Sequence, residues 1–111
     1  MKFFRELKKG STKLLTLSVL KKEPMYGYQI IKEIKKLSKN YFDLAEGTLY
    51  PALHDLEKNS YIKSKWQKHR GKKRKYYYIT EKGLEFLGQT SKEWNLFAKN
   101  LSIFLAKKQK I

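Results

Sequence analysis

Residues 46–57 read Glu-Gly-Thr-Leu-Tyr-Pro-Ala-Leu-His-Asp-Leu-Glu, and they carry the sharpest helical pattern in the chain. Four of its apolar residues recur at i, i+3, i+4 and i+7, which places them on one face of an α-helix: Leu49, Ala52, Leu53 and Leu56. The opposite face presents Thr48, Tyr50 and His54. Pro51 is expected in the first turn, because a proline deeper in a helix clashes with the preceding turn. The stretch therefore predicts a helix that starts near Gly47, buries one stripe and leaves a polar and aromatic stripe exposed.

Three helices are predicted before this stretch. The first, over residues 2–9, is short and amphipathic. The second follows the break at Gly10 and covers the apolar run of residues 14–20. Pro24 stops that helix, and a third is predicted over residues 26–37, where isoleucines follow the 3.6-residue period and lysines take the outer face. The apolar stripe of residues 46–57 is expected to bury against the helices over residues 14–20 and 26–37.

Two strands and a block of positive charge are predicted after it. Asn59 is expected to end the helix in a left-handed conformation, which asparagine tolerates better than most residues. Alternating residue types, rich in aromatic and β-branched side chains, predict strands over residues 61–67 and 74–80, joined by a six-residue loop over residues 68–73. Nine basic residues and no acidic one lie between positions 58 and 75. The hairpin therefore carries a dense positive charge.

The C-terminal helix has an apolar face longer than one small domain can cover. Thr80 is expected to cap it, and the helix is predicted from residue 81 to about Lys108, a length of about 40 Å. Its alternating three- and four-residue spacing is typical of a helix buried against a second copy of the chain. Packing on its own domain is the alternative. The residues of this helix predicted to form the dimer interface are Leu84, Leu87, Trp94, Phe97, Leu101, Phe104 and Leu105.

Composition excludes several classes of protein. The chain has 111 residues, no cysteine and a formal net charge of +16. Without cysteine there is no disulfide scaffold or thiol nucleophile, and His54 and His69 alone make a poor metal site. No apolar run approaches the roughly 20 residues of a membrane helix, so we expect a soluble, cytoplasmic protein. With no paired carboxylates, glycine-rich phosphate loop or nucleophile–base pair in the sequence, we expect neither an enzyme nor a bound cofactor. The charge instead predicts a polyanionic partner.

Helices followed by a basic hairpin form the element order of a winged helix-turn-helix. We therefore predict a mainly α fold with a small β-hairpin, divided into a DNA-binding domain over residues 1–80 and a dimerisation helix over residues 81–111. The helix over residues 46–57 would lie in the major groove of double-stranded DNA, and the hairpin would lie over the phosphates. The alternative is a basic RNA-binding or ribosome-associated protein, which explains the charge but gives the heptad spacing no purpose.

Three segments resemble the PadR-type transcriptional regulators in order and spacing: Pro24–Ile30, Glu46–Glu57 and the run from Gly71 through Arg74–Gly83. The single C-terminal helix is similar to the compact subgroup of that family. The resemblance implies a homodimeric repressor that binds an inverted-repeat operator and is released by a small molecule or a stress signal. It also implies that the N-terminal helix, with Phe3 and Phe4, helps the C-terminal helix to form the dimer. With the contacts that it implies, the predicted DNA-binding residues are Tyr26, Thr48, Tyr50, His54, Lys68, Arg70, Lys72, Lys73, Arg74 and Lys75.

Trp94 carries a further implication of the resemblance. Some members of the family bind flat aromatic or cationic compounds at the dimer interface, stacked on a tryptophan of the C-terminal helix, and Trp94 matches that position. An aromatic residue at a heptad core position also serves as a packing anchor, so both roles stay open. His69, in the predicted loop, is expected to be an ordinary polar residue.

Overall fold

The chain forms five helices and three strands in the computed structural model, which describes residues 1–106. In chain order they are α1 (Lys2–Gly10), α2 (Thr12–Leu20), β1 (Met25–Tyr26), α3 (Gly27–Leu37), α4 (Glu46–Lys58), β2 (Ile62–His69), β3 (Lys72–Ile79) and α5 (Glu81–Leu105). The predicted mainly α fold with a small hairpin is confirmed. The part of the predicted C-terminal helix that extends to about Lys108 lies outside the described residues.

Helices α2, α3 and α4 bury their apolar faces against one another. The side chains at the centre are at most 1% exposed: Leu17, Ile30, Leu49, Leu53 and Leu56. Burial of each such side chain contributes about 1.5–3 kcal/mol relative to leaving it in water. Ile62 and Tyr77, at the base of the hairpin, are buried in the same cluster. The apolar stripe predicted on α4 therefore lies at the centre of the domain core, where α2, α3 and the base of the hairpin pack against it.

The sheet has three antiparallel strands in the order β1-β3-β2. The sequence pattern does not predict β1, because a strand of two residues is too short to show alternation. Met25 pairs with Tyr77, and Tyr26 pairs with Tyr76. The start of α3 is thereby joined to the hairpin by backbone pairing.

The tip of the hairpin is a two-residue turn, so the prediction of a six-residue loop is wrong. Strand β2 continues to His69 and β3 begins at Lys72, which leaves only Arg70 and Gly71 between them. Their φ angles are 52° and 79°, the left-handed values of tight hairpin turns whose twist matches the strands. Alternation fails to detect the distal strands because both faces of the hairpin are exposed there. Its basic side chains are thus carried on paired strands.

The ends of α4 also differ from the prediction. The helix begins at Glu46, so Pro51 is its sixth residue and lies beyond the first turn. The carbonyl of Gly47, four residues before Pro51, loses its usual N–H partner, and Gly47 lies at the exposed start of the helix, where the carbonyl is accessible to solvent. Asn59 has a φ of −90°, and it is Ser60 that adopts the left-handed conformation, with a φ of 63°. Asn59 instead donates from Nδ2 to a carbonyl of the last turn, at 2.9 Å.

Helix α5 begins as predicted and packs closely on the hairpin. Thr80 Oγ1 accepts a hydrogen bond from the Gly83 N–H at 3.0 Å, which confirms Thr80 as the cap. A Cβ on Gly83 would lie 2.8 Å from Ile79 Cγ1 and would collide with the Tyr61 carbonyl, so only glycine fits this contact. Tyr61 then stacks on Phe86 with ring centroids 4.3 Å apart. The first turns of α5 are therefore part of the domain core.

Leu87 is predicted to lie in the dimer interface, but the structure places it in the core of its own chain. It is 9% exposed and belongs to the core cluster of its own chain, because the first turns of α5 pack against α2. The same stripe of α5 then continues past the end of the domain. The other predicted interface residues, on α5 and on α1, are between 41% and 74% exposed: Phe3, Phe4, Leu84, Trp94, Phe97, Leu101, Phe104 and Leu105.

Candidate nucleic-acid interface

Helix α4 is fastened to its neighbours by polar contacts outside the core. The ammonium of Lys13 on α2 donates a hydrogen bond to the Asp55 carboxylate, and this contact lowers the pKa of Asp55 below its usual range. Glu57 accepts a hydrogen bond from Ser64 Oγ at 2.6 Å, and Lys75 Nζ lies 3.9 Å from Glu57 Oε1. Exposed ion pairs of this kind add little stability. They do neutralise two carboxylates that would otherwise repel an anionic partner.

A cleft of about 280 Å³ lies between α4, the start of α3 and the β2–β3 hairpin, or wing. The predicted DNA-binding residues that line this wing cleft are Tyr26, Tyr50, Lys73, Arg74 and Lys75. The lining residues that the sequence analysis does not select are Gly27, Trp66 and Tyr77. Three adjacent cations and four aromatic rings thus share one concave surface, with no aspartate or glutamate among the residues that line it.

Tyr50 extends from α4 across this cleft. Its side chain is 45% exposed, and its phenol ring lies against Gly27 at the start of α3. Tyr77 lies below it and is 6% exposed. Burial, together with the negative charge of Glu57 and the proximity of Tyr50, raises the pKa of the Tyr77 phenol. The Tyr77 phenol is therefore neutral at physiological pH, and the floor of the cleft carries no negative charge from it.

Tyr26 supports Arg74 and does not stand free on the surface. Arg74 Cζ lies 4.5 Å from the centre of the Tyr26 ring, a cation–π contact worth roughly 0.5–1 kcal/mol at an exposed site. The same ring meets Tyr76 edge-on at 5.5 Å and His69 at 5.8 Å. His69 is therefore a packed strand residue, and its predicted place in a loop is wrong. Arg74 Nε is buried without a hydrogen-bond partner among the described residues, so stacking is the contact that orients this guanidinium.

The other predicted DNA-binding residues lie outside the wing cleft. Thr48 is half-buried in a separate recess of about 250 Å³ at the start of α4, which α1 lines with Arg5, Lys8 and Lys9. His54 is exposed further along α4. The remaining three are exposed at the tip of the wing: Lys68, Arg70 and Lys72. The structure therefore brings together half of the predicted residues and distributes the rest over α4 and the wing tip.

Trp66 is the exposed residue of this surface that sequence reasoning misses. It pairs with Lys75 across the hairpin and is 67% exposed. In the alternation of β2 it shares a face with Ile62, which is buried, so the pattern places it toward the core. The hairpin extends beyond the helices, and the same face becomes exposed there. A tryptophan in the middle of a basic block is the signal that could have identified it.

Within residues 1–106, no group of three or more histidine, cysteine, aspartate or glutamate side chains is placed to hold a metal ion. None of the helices over the same range has the length and hydropathy that crossing a bilayer requires.

Comparison with known proteins identifies the family. The sequence profile of the transcriptional regulator PadR-like family matches residues 16–89, from α2 to the first turns of α5. The chain belongs to the PadR-like family. A solved transcriptional regulator from Clostridium thermocellum is similar over 91% of this chain and 99% of its own, with 36% identity and a TM-score of 0.84. A PadR family transcription regulator from Clostridium difficile is similar over 86% of this chain and 99% of its own, with 36% identity and a TM-score of 0.77. The transcriptional regulator YqjI of Escherichia coli is 29% identical over 76% of this chain, which corresponds to 39% of that longer protein.

PadR-like regulators bind DNA and are not enzymes. This member of the family has a second recess, of about 430 Å³, between α2 and α5. Its lining residues are Ser11, Leu14, Leu15, Ser18, Lys21, Phe42, Leu87, Ser91 and Trp94. Lys21 is the cation of this lining, which has no aspartate or glutamate. The recess is therefore mainly apolar, with one positive charge and several hydroxyls at its walls.

Proposed function

We propose that this PadR-like regulator acts in the cytoplasm as a homodimeric, sequence-specific repressor that binds an inverted-repeat operator. The observation that carries the proposal is the wing cleft, where Lys73, Arg74 and Lys75 lie beside exposed aromatic rings and next to α4. Cations and tyrosine hydroxyls contact phosphate oxygens and sugars, which positions a protein on a duplex without reading its sequence. The exposed stripe of α4, with Tyr50 and His54, then enters the major groove, whose width of about 12 Å accepts a helix.

The uncovered faces of α1 and α5 support the homodimer. Trp94 and Leu101 lie on one side of α5, and Leu96 and Ile103 lie on the opposite side at 3.6 residues per turn. All four side chains are between 43% and 56% exposed. A helix with apolar side chains on opposite sides is usually buried, and a second copy of the chain would cover it. The α4 helices of the two copies, related by a two-fold axis, are the recognition helices. They would then meet two half-sites of opposite orientation.

Selection from random double-stranded DNA tests the function. We expect the full chain to enrich a palindromic sequence whose half-sites are centred one helical turn, about 10 base pairs, or a multiple of it apart. A competitor RNA hairpin of equal length should displace the selected DNA only in large excess. Enrichment of a single half-site would contradict the symmetric dimer. Stronger binding to RNA than to any selected duplex would favour the RNA-binding alternative instead.

We infer that the recess at Trp94 holds the effector that releases the operator. Its apolar walls and the exposed tryptophan ring suit a flat aromatic molecule. Lys21, in a lining without carboxylates, favours an anionic or neutral compound over a cationic one. Of the flat aromatic or cationic compounds that the family resemblance implies, the recess therefore suits aromatic compounds without a positive charge.

A matched series of naphthalene derivatives tests the effector site. In a Trp66→Phe background Trp94 is the sole tryptophan of the chain, so its fluorescence reports the recess. We expect 2-naphthoic acid to quench this fluorescence and weaken operator binding, while the naphthyl ammonium analogue does neither. In Lys21→Gln the carboxylate should lose its advantage over the neutral alcohol. Equal binding of the ammonium compound would contradict the role of Lys21.

A further inference from the structure

Gly27 is the first residue of α3, is buried, and lies against the hydroxyl end of the Tyr50 ring. A Cβ on Gly27 would lie 2.8 Å from Tyr50 Cζ and nearer still to the phenolic oxygen. Contacts of that length are essentially never made by real Cβ atoms. Any side chain at position 27 would therefore displace the Tyr50 ring from the place it occupies.

The backbone of Gly27 does not itself require glycine. Among the described residues, the glycine with a left-handed φ is Gly71, at the wing tip. The contact with Tyr50 is therefore the feature that accounts for glycine at the first position of α3.

The atoms that a Cβ would meet are the far end of a flexible side chain. Tyr50 is 45% exposed, so its ring can rotate toward solvent without opening the core. An alanine at position 27 would therefore change the orientation of Tyr50 more than it would change the stability of the fold.

We propose that Gly27 is a positioning residue for DNA recognition, because it holds the phenol of Tyr50 across the start of α3 and inside the wing cleft. The inference rests on the proposed function, in which Tyr50 lies on the face of α4 that enters the major groove. It assigns to Gly27 a role in discrimination between sequences, without any contact between Gly27 and DNA.

A double-mutant cycle of Gly27→Ala and Tyr50→Ala tests the inference on the selected operator and on a random duplex of equal length. Gly27→Ala should weaken operator binding about tenfold, the size of one lost base contact, and leave random-duplex binding unchanged within about twofold. In the Tyr50→Ala background the same glycine change should have no further effect on the operator, because the ring that it displaces is gone. Gly88→Ala is the matched control, since Gly88 lies on an exposed part of α5 and a Cβ added to it would meet open space.

The outcomes separate this inference from the proposed function. A wild-type chain that prefers no DNA sequence overturns the proposed function before any variant is needed. A selective wild-type chain whose Gly27→Ala variant binds the operator normally overturns the inference alone. Equal losses on operator and random DNA, or the same loss in the Tyr50→Ala background, also overturn it, because Gly27 would then act through the fold. If circular dichroism shows that Gly27→Ala is unfolded at the assay temperature, the inference is overturned for the same reason.

Discussion

Replacement of Lys68, Lys72 and Lys73 by glutamine is expected to weaken binding to every DNA sequence by a similar factor. All three ammonium groups are exposed on the distal wing, where the described ion pairs do not occupy them. Each lysine on a phosphate releases counterions, so the loss of three contacts should reduce the slope of log K against log salt by about 2.7. The same relation gives a loss on the order of a hundredfold at about 0.2 M salt. Fluorescence anisotropy titrations at several salt concentrations, on operator and random duplexes, measure both quantities.

A variant with the same change of net charge supplies the control. Lys35, Lys36 and Lys39 lie at or just beyond the C-terminal end of α3, remote from the wing, and Lys36 is about 15 Å along the helix axis from Tyr26. Their replacement by glutamine should leave the salt slope within about half a unit of the wild type. If the two triple variants lose affinity equally, the net charge of the chain governs binding and the wing has no special role. If the wing variant loses operator binding alone, the wing reads sequence and does not merely hold the phosphates.

The fold is predicted well where a periodic pattern has a single buried face. The stripe of Leu49, Leu53 and Leu56 predicts both α4 and the core it enters, and all three residues are at most 1% exposed. The prediction fails where that condition is absent. β1 has two residues and no period, and the distal hairpin is exposed on both faces, so its strands resemble a loop. A periodic sequence pattern reveals which residues are buried. It therefore predicts a helix or a strand only where one face of that element is buried and the other is exposed.

The site shows a different limit of sequence reasoning. Charge and exposure can be inferred from residue type, and the sequence accordingly selects Tyr50 and the basic residues of the wing. A role that depends on a contact between distant positions cannot be inferred in this way. Arg74 is oriented by Tyr26, 48 positions earlier in the chain, and Gly27 is explained only by the ring of Tyr50. Leu87 belongs to the same heptad spacing as Leu101, and only the packing of α5 on α2 separates their surroundings.

Disruption of the proposed dimer should have the largest effect of any change in the chain. Phe97→Asp and Leu101→Asp place a carboxylate on the exposed stripe of α5, at positions that contribute nothing to the core of their own chain. Burial of an unpaired charge between two copies costs several kcal/mol, so the double variant should be monomeric. Sedimentation equilibrium should then give 13.3 kDa where the wild type gives twice that mass.

Loss of the dimer should also weaken DNA binding. Two linked recognition helices bind about 10²–10⁴-fold more tightly than one, because binding of the first raises the effective concentration of the second. The double variant should lose an affinity of that order for the selected operator, yet bind an isolated half-site as well as the wild type binds it. Asn95→Asp adds a carboxylate to a polar side of the same helix and should change neither mass nor affinity. A double variant that remains dimeric would mean that the exposed stripe of α5 is not the interface. A monomeric variant with full operator affinity would mean instead that each chain binds alone, so the two-fold symmetry of the operator would need another origin.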